Sequence, residues 1–150
     1  FLNSCKGYKP IFTSNLEYTI NKYEIKGDKK LGNNIYSKLY KLSNQNKTKS
    51  NIKNLNIIIE VKKENNSTVK DSAGKILEYK VIINTNIIIS DATNNYEMLN
   101  QKFNFSSSYK AQDQYSETKR LENNIINNLL DRTFEDLIIK MSENILKKWL

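Results

Sequence analysis

Three stretches between Leu55 and Tyr109 alternate apolar and polar side chains with a period of two, and this constrains the fold more than any other feature. Leu55–Lys62 (LNIIIEVK) sets Leu55, Ile57, Ile59 and Val61 on one side and Asn56, Ile58, Glu60 and Lys62 on the other. Successive side chains of a strand point to opposite faces, so this is a strand with one buried face. Ile76–Ser90 (ILEYKVIINTNIIIS) repeats the pattern at greater length, with Leu77, Tyr79, Val81, Ile83, Thr85, Ile87 and Ile89 on one face. Tyr96–Tyr109 follows, with Leu99, Phe103, Phe105 and Tyr109 aligned. The polar run Lys63–Lys75 (KENNSTVKDSAGK) reads as a hairpin tip, and Asp91–Asn95 (DATNN) as a tight turn.

The flanks follow other periods. Tyr18–Ile25 reads as a strand with imperfect alternation, and Gly27-Asp28 comes next. Asp28 suits a helix N-cap, and Leu31, Ile35, Leu39 and Leu42 recur beyond it at helical spacing over about three turns. Asn44–Asn54 is a polar, lysine-rich loop. From Tyr115 onward Leu121, Ile125, Leu129, Leu137, Met141 and Ile145 form one helical stripe, widened by Ile126, Leu130, Phe134 and Ile138. The order is β-α-β-β-β-α. It predicts an α+β two-layer sandwich: a four-stranded mixed sheet, one parallel pair joined by a crossover helix, and both helices on one face. The other face carries Lys62, Glu78, Lys80, Asn84 and Lys102. It also carries Ile58, Ile82 and Ile88, more apolar surface than a solvated face needs.

Composition removes most catalytic chemistry. The 150 residues form one domain and include no His and a single Cys. That excludes Ser-His and Cys-His nucleophiles, imidazole metal sites and an internal disulfide. Four glycines lack any phosphate-cradling spacing, and no apolar run could span a bilayer. The carboxylates read as strand-end and helix-surface groups. Tyr79, Phe103, Phe105 and Tyr109 read as core rather than as a base-stacking platform. The expectation is a chain that is not an enzyme, with no metal and no cofactor.

The formal charge is +8 and uneven. Residues 1–75 hold 15 Lys and 6 acids, and residues 76–150 hold 9 basic and 10 acidic groups. A basic half suits an anionic partner. Equally, 23 Asn, 19 Ile and only two Arg fit AT-rich coding that inflates Lys without a partner. Lys62, Lys63, Lys70 and Lys75, around the expected hairpin tip, are the candidates for contact with lipid phosphates; a solvated turn is the other reading of them.

The opening FLNSCKGYKPIF places the only cysteine behind Leu2-Asn3-Ser4, an arrangement like a bacterial lipobox. Such a cysteine becomes the new N-terminus, carrying a diacylglycerol on sulfur and an N-acyl chain; two or three chains anchor firmly, at about 0.8 kcal/mol per buried methylene. Cys5-Lys6-Gly7-Tyr8-Lys9-Pro10-Ile11-Phe12 resembles the opening of the LPS-assembly lipoprotein LptE family, its alphaproteobacterial branch in particular, with Lys6 inserted. The strand and helix order is similar too, as are Tyr79 in the long third strand, Phe105–Tyr109 (FSSSY) and Tyr115-Ser116 before the last helix.

The resemblance implies the end of a signal peptide over 1–4, a lipidated tether over 5–17 with Cys5 as the lipidation site, and an LptE-like domain over 18–150. It further implies a periplasm-facing outer-membrane lipoprotein that plugs the β-barrel LptD, binds lipopolysaccharide and helps insert it into the outer leaflet. The alternatives are another lipoprotein accessory of outer-membrane assembly, or a soluble basic nucleic-acid-binding domain. Two arginines and inward aromatics argue against nucleic acid as a partner.

Overall fold

The computed structural model describes residues 17–43 and 52–145. The elements are β1 (Tyr18–Gly27), α1 (Lys29–Ser43), β2 (Lys53–Lys70), β3 (Ile76–Asp91), β4 (Glu97–Lys110) and α2 (Tyr115–Ile145). The strands lie in one sheet in the order β1-β2-β3-β4. β1 runs parallel to β2, and the other two pairings are antiparallel. This is the expected α+β sandwich, with the expected parallel pair bridged by α1.

The odd-numbered residues of the alternating strands make the core. Leu55, Ile57, Ile59, Val61, Val81, Ile83, Ile87 and Ile89 are sealed beneath the helices with Leu99, Phe103 and Tyr109. From α1 come Leu31, Ile35 and Leu39, and from α2 Ile126, Leu129, Leu130, Leu137, Ile138, Met141 and Ile145. The helices touch each other through Lys38 of α1, which pairs with Asp131 and lies 5.9 Å from the Phe134 ring centroid. Arg132 sits 4.6 Å over the Phe105 ring. Among the described residues no helix is long and apolar enough to cross a membrane.

Local chemistry explains where elements stop. The imperfect alternation of β1 is a bulge: the register to β2 shifts between Ile20 and Lys22, and the extra residue, Asn21, donates from its amide to Asn56 at 3.0 Å. β1 ends at Gly27, whose φ of +75° suits glycine; a Cβ there would meet the Val61 carbonyl oxygen at 2.2 Å. Asp28 caps α1 by accepting the Leu31 N–H at 3.0 Å, as its place in the sequence suggests. α1 spans 15 residues, about four turns rather than three.

The largest departure from expectation lies in β2. The segment Lys63–Lys70, read as hairpin tip, is strand, and the true turn is only Asp71–Lys75. No periodicity marks it, because all nine residues from Lys62 to Lys70 are exposed. The ladder to β3 recruits them, pairing Lys63 with Ile83, Asn65 with Val81 and Ser67 with Tyr79. Asp71 closes the turn by accepting the N–H groups of Ala73 and Lys75, both at 2.9 Å. The loop before β2 is also shorter than expected, since β2 starts at Lys53; residues 44–51 lie outside the described region.

Candidate functional site

With both helices on one side, the opposite face of the sheet is bare, and its even-numbered residues form in-register rows. Glu60, Asn86 and Lys102 make one row, and Lys62, Asn84 and Asn104 the next. Together they line a shallow depression of about 510 Å³. The Asn104 amide donates to the Asn84 side-chain oxygen, while the Asn86 side-chain oxygen is shut off from solvent with no partner among the described residues. A neighbouring row pairs Ile58 with Ile88, and Ile82 lies on the far side; all three are half-buried. The face therefore offers amides and lysines in a polar strip between apolar flanks.

A second depression, about 520 Å³, lies at the hairpin end of the sheet beside the start of α2. Lys75, Leu77, Tyr79, Gln112, Tyr115 and Thr118 are among its lining residues. Tyr115 is 79 % exposed and Leu77 41 %, so this end of the molecule presents an aromatic and an aliphatic side chain to solvent. Tyr79 stacks on Tyr109 with centroids 5.4 Å apart.

The four candidate lysines are not brought together. Because β2 continues to Lys70, Lys62 and Lys70 are about 26 Å apart at ~3.3 Å per residue. Lys62 lines the open-face depression. Lys63 points to the helix side, where its Nζ is 3.8 Å from Glu122 Oε2. Lys70 and Lys75 alone flank the turn, and Lys75 borders the second depression. Cys5 lies outside the described residues.

Two polar clusters escaped sequence reading. Glu122, on the buried side of α2, is 7 % exposed. Its carboxylate accepts from the Asn65 amide at 3.0 Å and from Lys119 at 3.1 Å, and Asn65 also donates to the Tyr109 hydroxyl at 2.7 Å. Burial pushes the Tyr109 hydroxyl pKa up, and the bond to Glu122 raises that of Lys119. Asp91, also 7 % exposed, accepts the Thr93 N–H at 2.8 Å and binds Lys53 at 3.2 Å. Those bonds, the backbone one first, hold its carboxyl below the usual range. Only neighbouring Ile125 and Ile126 hinted that Glu122 faces inward; its partner Asn65 is 57 residues away.

Among the described residues no group of three or more His, Cys, Asp or Glu could hold a metal ion. The arrangement can bind: it can hydrogen-bond through amides, attract anions through lysines and bury apolar surface on a flat face.

No family profile and no curated protein matches the sequence. Solved structures do match in shape. Rare lipoprotein B from Shewanella oneidensis superposes with a TM-score of 0.59 at 12 % identity, over 87 % of this chain and all of that one. A protein from Caulobacter crescentus classed as a lipoprotein gives 0.61 at 12 % identity, over 91 % of this chain and 93 % of that one. The lipoprotein B from Nitrosomonas europaea gives 0.55 at 15 % identity, over 81 % and 82 %. At such identities the likeness is one of architecture, and the chain shares the α+β fold of these bacterial lipoproteins.

Proposed function

We propose that this chain is a periplasm-facing outer-membrane lipoprotein of the LptE type. In this reading it is anchored by a diacylglycerol and an N-acyl chain on Cys5, plugs the β-barrel LptD, and assists lipopolysaccharide binding and delivery to the outer leaflet. The observation that carries the reading is the shared fold over nine-tenths of the chain with a lipoprotein of similar length. The sequence around Cys5 supports it independently.

The open sheet face gives the reading a physical surface. A plug must bury a broad, flat area against a barrel wall whose lumen side is polar. The rows Glu60–Asn86–Lys102 and Lys62–Asn84–Asn104 supply hydrogen-bonding groups in register, and Ile58, Ile82 and Ile88 supply apolar area beside them. Lysine ammonium groups at Lys70 and Lys75, near exposed Leu77 and Tyr115, suit a molecule with both phosphate and acyl parts. The chain acts as a binding and scaffolding protein with no catalytic step.

Expression with a native signal, mild detergent extraction of the outer membrane and affinity capture test the proposal. The expected result is co-isolation of a large heat-modifiable barrel together with lipopolysaccharide, and a mass for the N-terminal peptide that includes acyl chains on Cys5. A lipidated chain recovered without a barrel would move the function to another accessory role, and an unlipidated chain carrying nucleic acid would overturn it.

A further inference from the structure

β1 accompanies β2 only as far as the pair Gly27–Val61. There the chain turns out of the sheet: Asp28 donates its N–H to the Val61 carbonyl at 2.8 Å, and α1 begins at Lys29. β2 continues for nine more residues, Lys62 to Lys70, paired with a strand only on its β3 side among the described residues. Peptide groups alternate direction along a strand, and the Val61 carbonyl faces β1. The N–H and C=O groups of Lys63, Asn65 and Ser67 therefore face the same way, beyond the end of β1, with no strand opposite among the described residues. The stretch is about 30 Å long at ~3.3 Å per residue, room for a full strand.

We propose that this free edge is a docking site for an extended, acidic segment of a partner protein, which joins the sheet beside β2. Charge selects the occupant. Lys62, Lys63 and Lys70 lie on the edge strand, and Lys26, Lys29 and Lys30 surround the notch where β1 leaves it. Against them stand Glu64 on the edge, Glu122, which pairs with Lys63 from α2, and Asp28, whose carboxylate caps α1. The N-terminal end of α1 adds its positive dipole at the same notch. A second copy of this chain would set lysines against lysines, which like-charge pairing disfavours and which guards the edge against self-association. An acidic strand meets the lysines and supplies the missing backbone partners, with main-chain bonds giving affinity. The notch formed by Gly27 and Asp28 sets where the incoming strand must stop.

A nine-residue peptide alternating Glu and Val, acetylated and amidated, is the probe for titration against the full chain by isothermal calorimetry. Two analogues are N-methylated at alternate amides, one in each phase. The parent peptide is expected to bind and to slow hydrogen exchange at Lys63, Asn65 and Ser67. One analogue must lose binding at least ten-fold while the other retains it. Ser67→Pro, which removes an N–H facing away from β3, should weaken binding ten-fold with an unchanged circular dichroism spectrum. Equal binding of both analogues would reduce the effect to charge attraction and overturn the proposal. So would unprotected amides at saturation, the absence of binding at millimolar peptide, or a peptide-free dimer protecting the same amides.

Discussion

Asp91 closes a run of isoleucines, and its carboxylate, read from sequence as a strand-end group at a tight turn, is nearly sealed from water. Its Oδ1 takes the Thr93 N–H and its Oδ2 the Lys53 ammonium, so the hairpin turn and the start of β2 share one charge. A carboxyl held below its ordinary value stabilises the fold above the unfolded pKa of about 4, and that contribution drains away as pH falls through the lower folded value. Asp91→Asn keeps an acceptor for Thr93 but loses the charge. It should cost about 1 kcal/mol at pH 7. In urea melts the gap to the native chain should narrow steadily below about pH 4. Glu122 makes the same point on α2. Its charge suggested a solvated position, yet Asn65 and Tyr109 build a polar joint around it where β2 carries no apolar side chain. Glu122→Ala should lower stability by about 1–3 kcal/mol, read from the urea midpoint, because it strands buried donors.

The elements most legible in the sequence were those whose burial writes a period into it. β3 and the first half of β2 alternate cleanly, and α2 shows its stripe across 31 residues, because each packs one face on the shared core. Lys62–Lys70 was illegible for the converse reason: neither face buries apolar side chains, and the backbone ladder to β3 and the polar contacts of Lys63 and Asn65 with Glu122 write no period into the sequence. Misplacing that boundary also misplaced the lysines, which were grouped at a tip that two of them do not reach. β1 ends where a glycine is required, and this is testable. Gly27→Ala forces a side chain into left-handed backbone and onto the Val61 carbonyl. It should destabilise the protein by at least about 1–2 kcal/mol. Hydrogen exchange should be fastest in β1 and the first turn of α1 in that variant.

On the scale of the whole molecule, the order β-α-β-β-β-α was enough to place two helices on one side and leave the other side bare. The sequence also showed that Ile58, Ile82 and Ile88 share that bare side. It could not show that Asn84, Asn86, Asn104 and Lys102 align with Glu60 and Lys62 into rows, since register is a property of paired strands. These rows are the surface that the proposed plug sets against its barrel, because the other side of the sheet is covered by the helices. A photo-crosslinking side chain at Ile88, in the chain expressed with its signal in a Gram-negative cell, interrogates that surface directly. The account predicts a high-mass adduct containing an outer-membrane β-barrel. A chain that is lipidated and resident in the outer membrane, yet yields no barrel adduct from Ile88, would contradict it.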